Sequence, residues 1–303
     1  MLRKIQELTY RYSILRKVLL PAILLRRRSI EKKLKIQKKV VQNLEDLLVG
    51  DPILQVDEFS GKFTFDIRSD LFARLLIKNS YEPELSSLCI QYLDPERDVI
   101  DVGANIGLYS ILFAKNMGIG RVLAVEPTPN AINRLRQNLK LNNVEDRVEI
   151  FEGVASDKNG STTINIIQGK EEFSSIGEIS HPSIDGEQSE NVKVDSLTLD
   201  SLVEQRALDP GFIKADVEGS EHLFFSGSKK VLSKNRPIIL SELSDFLLRK
   251  NGSSADSVIQ TLRKFEYEIM DPMNPSIRPG RKEFGDMLCI PTEKMKQRVG
   301  KRS

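Results

Sequence analysis

Two short stretches of this 303-residue chain hold the residue types that chemistry needs. In the first, the apolar run Val99-Ile100 leads into Asp101-Val-Gly103-Ala-Asn105-Ile-Gly107, and Glu126 closes the next apolar run. In the second, Asp216-Val217-Glu218-Gly219 follows the run Gly211 to Ala215, with His222 one helical turn beyond Glu218 and Glu242 ending a later run. Glycines in a turn before a helix let backbone N–H groups face an anionic ligand end, and an acid ending the following strand suits the two hydroxyls of a ribose. Two acids spaced two apart at a strand end project to the same side. There they can act as a general base or, with Glu242, hold a hard cation such as Mg²⁺.

The first stretch distinguishes between nucleotide cofactors. A dinucleotide fingerprint wants glycines where this loop has Gly103, Asn105 and Leu108, so the third is missing. Asp101 would repel a diphosphate and attract an ammonium group. That difference favours S-adenosylmethionine over NAD. Its amino acid end would lie across Gly103, Asn105 and Gly107, Glu126 would take the ribose hydroxyls, and Val154-Ala155 would border the adenine.

Positioning these groups requires alternating strands and helices. Val99 to Val102, Arg121 to Val125, Arg147 to Phe151, Gly211 to Asp216 and Pro237 to Glu242 read as buried parallel strands. An amphipathic helix to about Lys115 follows the glycine turn. Thr128 is expected to N-cap a second helix that begins at Pro129 and buries Ala131, Leu135, Leu139 and Leu141. Thr162 to Ile167 and Val192 to Val194 read as strands, Leu199 to Glu204 as a helix, and Gln168 to Asn191 as a long polar loop. A helical segment should run on to about Lys234 and another from Ala255 to Phe265. Tyr267 to Met270 and Asp286 to Ile290 then close the sheet. The fold class expected is α/β: a doubly wound, mostly parallel sheet with an antiparallel edge strand. Before it, Ile53 to Ile67 suggests a hairpin turning at Ser60-Gly61, with helices from Leu71 to Asn79 and Pro83 to Leu93.

The motifs DVGANIGLYS, EPTPNAINRLRQNLKLN and IKADVEGSE, with the strand RPIILSEL, resemble the FkbM-family methyltransferases across Ile100 to Glu242. The resemblance implies a class I S-adenosylmethionine-dependent methyltransferase (Rossmann-like) fold and O-methylation of sugar or polyketide hydroxyls. The chain as a whole is expected to divide into a basic helical extension (1–49), which the family core does not explain, a preface of hairpin and helices (50–97), the S-adenosylmethionine-binding domain (98–293) and a basic tail (294–303). The acceptor expected is a sugar, glycolipid or other small polyhydroxyl.

A hydroxyl needs its proton removed, or a metal to lower its pKa, before it attacks. Asp216 or Glu218 is the base on one reading; on the other, Asp216, Glu218 and Glu242 hold Mg²⁺. His222 is a further base candidate, as is His181 in the polar loop, where Ser174-Ser175 would line the acceptor site. Lys214, in phase with Asp216, is expected to pair with an acid.

Net charge is only +2, with the basic excess gathered in the first forty residues. That excess suggests peripheral contact of residues 1–49 with a membrane surface; the plainer alternative is a helical extension packing on the main domain or on a second copy in a homo-oligomer. The run Val18 to Leu25 falls short of the roughly 20 residues a membrane span needs, no cleavage site follows it, and a cytoplasmic location is expected. Cys89 and Cys289 lie too far apart for metal-type spacing and read as buried thiols. The core shows no extended basic face and no aromatic-flanked Asn-Pro-Pro, so no specific nucleic acid partner is expected. Two rival functions are an NAD-dependent oxidoreductase and a non-catalytic scaffold whose basic arm contacts membrane or RNA.

Overall fold

The computed structural model describes residues 50–177, 188–274, 276, 279–280 and 285–295. The expectations for the 1–49 extension, for His181 and for residues 296–303 of the tail lie outside the described residues.

A nine-stranded sheet forms the frame, and short apolar runs supply its centre. β3 (Asp98–Val102) and β4 (Val122–Glu126) are buried at every position, as parallel strands covered on both faces must be. β5 (Val148–Ala155) extends the parallel set beyond β4, and β8 (Pro210–Ala215) with β9 (Ile238–Glu242) extends it on the other side of β3. β7 (Glu190–Leu197) joins β5 in parallel and carries β6 (Gly160–Ile166) antiparallel at its outer edge. At the opposite edge β11 (Asp286–Pro291) runs antiparallel to β9 and pairs with β10 (Tyr267–Met270). The full order is β10-β11-β9-β8-β3-β4-β5-β7-β6. The mostly parallel, doubly wound α/β fold is as expected, with antiparallel pairing at both edges rather than one.

Two helices precede the sheet, α1 (Asp70–Lys78) and α2 (Pro83–Tyr92), and α3 (Leu108–Asn116) follows β3. α3 departs from its expected amphipathic pattern, for Leu108 to Ala114 are all buried. The preface explains this. The hairpin of β1 (Ile53–Val56) and β2 (Gly61–Thr64) turns through Ser60 at φ 52° and sets Phe59 edge-on to Tyr109 of α3, centroids 4.9 Å apart. A helix with sheet on one side and hairpin on the other has no solvent face, so its sequence is apolar all round. Asn138 of α4 (Pro129–Leu141) fastens the hairpin, accepting from Thr64 N–H at 2.7 Å and donating to Ile106 C=O at 2.9 Å. Leu141, expected in the buried stripe of α4, is 37% exposed because it falls on the last turn, past the sheet.

The helix expected to reach Lys234 is broken. α6 (Glu221–Ser226) stops at Gly227, whose carbonyl accepts from Asp200 N–H at 3.0 Å. The Asp200 carboxylate, in α5 (Leu199–Arg206), then accepts from Lys230 and Val231 N–H, both at 2.9 Å, and starts a separate turn. A capping acid one element away thus interrupts what reads locally as one helix. α7 (Asp245–Lys250), capped by Ser244, was not anticipated; α8 (Ala255–Lys264) was.

Candidate functional site

The chain passes from β3 outward to β4 and β5, then returns to β8 on the other side of β3. The crevice outside the carboxyl ends of β3 and β8 is the topological switch point, where open α/β sheets bind ligands. Asp101, Glu126, Asp216 and Glu242 all arrive at this edge because each ends or nearly ends a parallel strand.

The glycine turn is dictated by close approach. Gly103 has φ 77°, and a Cβ there would lie 2.0 Å from the Asp216 carbonyl oxygen. Asp216 N–H in turn donates to Val102 C=O at 2.9 Å, so the two motif turns lie directly against each other. Gly107 has φ 90°, and its missing side chain leaves room for Leu135 of α4, 2.3 Å from the Cβ position.

Two buried acids flank this turn. Asp101 is fully buried; its Oδ2 accepts from Ser110 Oγ at 2.6 Å, while Oδ1 has no partner among the described residues. Burial raises its pKa, with the Lys214 ammonium pulling the other way. Glu126 is held by three donors: Asn105 N–H to Oε2 at 2.8 Å, and Thr128 N–H and Oγ1 to Oε1 at 2.9 and 2.6 Å. Burial still raises its pKa against those bonds. Thr128 sits before α4 as expected, but its side chain makes no capping bond; its hydroxyl is committed to Glu126 instead. Asn105, at φ 48°, turns its N–H toward the acid. Val154 and Ala155, at the end of β5, line the same cavity as Asp101, Gly103 and Glu126, and Ser174 and Ser175 wall it from the loop after β6.

A second cavity continues from the first. Both are lined by Tyr81, Tyr109, Lys214, Asp216 and Glu218, and the second adds Glu82, Glu242 and Asp286. Asp216, Glu218 and Glu242 each bring a carboxylate oxygen to within 4.8 Å of the others. Lys214 Nζ donates to Asp216 Oδ2 at 3.2 Å and lies 4.9 Å from the Tyr109 ring centre; Tyr109 OH donates to Glu82 Oε2 at 2.8 Å. Burial works against the Lys214 ammonium, but Asp216, Asp101 and Glu82 outweigh it and hold its pKa above the ordinary value. Glu218 and Glu242 are pushed well upward, by burial first and then by neighbouring carboxylates, Asp216 foremost for Glu218 and Glu218 foremost for Glu242. Glu242 Oε2 is buried without a partner among the described residues.

The sequence reading missed several participants. Asp286 stands directly opposite Glu242 across the antiparallel β9–β11 pair, and burial with Glu82 and Asp216 lifts it to about 7. Glu221, fully buried, accepts from Gly219 N–H at 3.1 Å and is lifted to about 7 by burial. Both needed knowledge of long-range pairing or of a tight turn. Ser110, three residues past Gly107, was findable as a helical neighbour of the strand-end acid. His222 lines neither cavity, and burial lowers its pKa against the pull of Asp157 and the Gly219 backbone. The base candidate at the start of α6 thus lies outside the lining of both cavities.

The chain matches the family model described as methyltransferase FkbM domain over residues 101–269. It is 27% identical over 188 residues to the 2-O-methyltransferase NoeI of Sinorhizobium fredii, spanning 59% of this chain and 76% of that one. It is 28% identical over 209 residues to the AMB antimetabolite synthetase AmbE of Pseudomonas aeruginosa, covering 58% of this chain and 10% of that protein. Of solved structures, a methyltransferase FkbM from Methylobacillus flagellatus KT aligns with TM-score 0.42 at 17% identity, covering 65% of this chain and 44% of that chain. An O-methyltransferase from Bacillus cereus in complex with SAH aligns with TM-score 0.42 at 14% identity, over 84% and 98%.

Proposed function

We propose a donor and an acceptor for this chain, which belongs to the FkbM family of methyltransferases. The donor is S-adenosylmethionine and the acceptor a hydroxyl of a sugar, glycolipid or other small polyhydroxyl. The observation that carries this reading is the joining of the two cavities at Asp216 and Glu218. One cavity has the fittings for a nucleoside with an amino acid end, and the other offers carboxylates for hydroxyl groups. NoeI, named a 2-O-methyltransferase, supports oxygen as the accepting atom.

The residues of the first cavity fit the donor. Asp101 Oδ1, buried and unpartnered among the described residues, suits an ammonium group. The Gly103–Gly107 turn lets the backbone pass close beside it, its Gly103, Ala104, Asn105 and Gly107 N–H groups being held by Val125, Glu126 and Ala104. Glu126 keeps lone pairs for ribose hydroxyls beside its three internal donors, and Val154 and Ala155 border the base. The donor supplies a methyl group on a sulfonium, open to in-line displacement by an oxygen. At the junction, Asp216 is engaged by Lys214, so Glu218 is the carboxylate that takes the acceptor's proton. Burial and then the neighbouring Asp216 raise the proton affinity of Glu218, and Glu242 orients a neighbouring hydroxyl.

A second reading assigns Asp216, Glu218 and Glu242 to Mg²⁺, favoured by their common reach of 4.8 Å. No helix among the described residues is long and apolar enough to cross a membrane; a cytoplasmic location, with residues 1–49 resting on a membrane surface, accompanies the glycolipid acceptor.

Calorimetry with S-adenosylhomocysteine tests the donor: binding that is lost in Gly103→Arg is expected, and absence of binding to the unaltered protein sinks the proposal. Transfer of labelled methyl to methyl glycosides and to an extracted glycolipid fraction tests the acceptor. Turnover that persists in chelator removes the Mg²⁺ reading.

A further inference from the structure

Glu218 is held in a conformation its own residue type resists. It has φ 48°, the left-handed region that a residue with a side chain adopts only when its surroundings demand it. Five bonds make that demand, the first the turn's own, Ser220 N–H donating to Val217 C=O at 3.1 Å. Asp216 N–H donates to Val102 C=O at 2.9 Å. Gly219 N–H donates to Glu221 Oε1 at 3.1 Å, and Asn251 Nδ2 donates to Gly219 C=O at 3.1 Å. The fifth, Ser175 Oγ donating to the Glu218 carbonyl at 3.0 Å, acts on Glu218 itself.

Ser175 differs from the others in where it comes from. It belongs to the loop after β6, in which Phe173, Ser174 and Ile176 also line the first cavity. It is also a fixed peg rather than a loose contact. Its backbone is bridged both ways to Asn165 of β6, at 2.8 and 3.2 Å, and its Oγ accepts from Gly177 N–H at 3.2 Å. Ser175 is 5% exposed. A hydroxyl has one proton to donate, and this one goes to Glu218, so none remains for a ligand in the cavity.

We propose that Ser175 is a positioning residue: it ties the wall of the donor cavity to the Glu218 turn, so that filling the cavity fixes the acceptor-side carboxylate. The inference rests on the donor assignment above. A ligand packed against Phe173, Ser174 and Ile176 limits the motion of that loop, and the Ser175 hydroxyl passes the restriction to the Glu218 carbonyl. Without the hydroxyl, the left-handed turn keeps its own Ser220–Val217 bond but loses the one that fixes the Glu218 carbonyl to the cavity wall, and the carboxylate is freer to leave its place at the junction of the cavities.

The test is amide hydrogen exchange at Gly219 and Ser220, with and without S-adenosylhomocysteine, in the unaltered protein, Ser175→Ala and Ser175→Thr. S-adenosylhomocysteine is expected to slow exchange about ten-fold in the unaltered protein and in Ser175→Thr, and less than about two-fold in Ser175→Ala. Its affinity for Ser175→Ala by calorimetry should stay within about three-fold of the unaltered value, while kcat on the glycolipid fraction falls about ten-fold and KM for the donor is unchanged. Should Ser175→Ala not fold, Ser175→Cys, similar in size and a weaker donor, takes its place. Equal protection in Ser175→Ala overturns the inference, and so does a loss of affinity that matches the loss of kcat. Failure of the unaltered protein to bind S-adenosylhomocysteine overturns the donor assignment and the coupling with it, and is distinguished by appearing before any substitution is made.

Discussion

The two cavities treat their acids in opposite ways. On the donor side each carboxylate has donors built around it: Ser110 for Asp101, and Asn105 with Thr128 for Glu126. On the acceptor side Glu218, Glu242 and Asp286 stand among further acids, and burial first, then neighbouring carboxylates with Asp216 common to all three, lifts each of them. A ligand whose groups never change is best met by donors and acceptors already in place, because nothing then has to reorganise on binding. A proton that must be taken up and released, or a cation that comes and goes, is better met by acids whose charge is incompletely compensated. The contrast between the halves is thus a contrast between binding and reaction.

The strongest way to break it is to attack the place where the halves touch. Gly103→Ala puts a Cβ 2.0 Å from the Asp216 carbonyl at a backbone φ of 77°. Both turns must move, and an ångström of misplacement costs on the order of 100-fold. S-adenosylhomocysteine affinity and turnover should both fall by at least that factor, and calorimetric affinity equal to the unaltered protein's would show that the contact does not join the halves.

Next in size is a matched pair of amides. Glu126→Gln removes a charge that accepts from three donors, and donor affinity should drop about 10- to 100-fold with little change in kcat at saturation. Glu218→Gln should leave that affinity within about three-fold and lower kcat by roughly 100- to 10,000-fold. If both variants move the same parameter, the division between binding and reaction is wrong.

How far the sequence carried the argument follows the same division. β3, β4, β8 and β9 were legible because a strand buried on both faces must be a short apolar run, and the acids that end them were legible with them. What stayed hidden depended on partners distant in sequence. Thr128 reads as a helix cap in any window of the chain, and only the turn of β4 onto α4 gives its hydroxyl to Glu126. Asp286 acquires meaning only from its antiparallel register with Glu242. α3 was read as amphipathic because the hairpin that covers its outer face lies some fifty residues earlier in the chain, as the Phe59–Tyr109 contact shows.

A smaller effect concerns pH. Glu221 and Asp286, each lifted to about 7, bind a proton in the folded protein at pH values where the unfolded chain has released it. Stability they confer is therefore present in acid and declines as pH rises from the ordinary carboxylate range through about 7. Asp66, Asp98 and Asp245 have the opposite sign; their pKa values are lowered, and they lose stability as pH falls below the carboxylate range. The melting temperature should be higher at pH 6 than at pH 8, whereas turnover, needing Glu218 ionised, should rise with pH at values above the ordinary carboxylate range. A melting temperature flat between these values would mean the acceptor-side acids are already compensated. Mg²⁺ that raises the melting temperature at pH 8 and not at pH 6 would favour the cation reading of the cluster.

The smallest expected effect is the most selective. Asp286→Asn keeps the shape of the side chain and removes one negative charge from the set formed with Glu82, Asp216 and Glu242. If the acceptor side is crowded by repulsion, the variant should melt about 2–4 °C higher at pH 8, the shift that about 1 kcal/mol gives a domain of this size. At pH 5 Asp286 is already protonated in the folded protein, so the gain should vanish there. With one neighbour neutral, Glu218 and Glu242 ionise more easily, and the rising limb of the rate profile should move to lower pH. A lower melting temperature at pH 8 would reverse the interpretation. Asp286 would then be serving chiefly as a partner of the buried Lys214 ammonium, and the acceptor side would resemble the donor side in having its charges matched in advance.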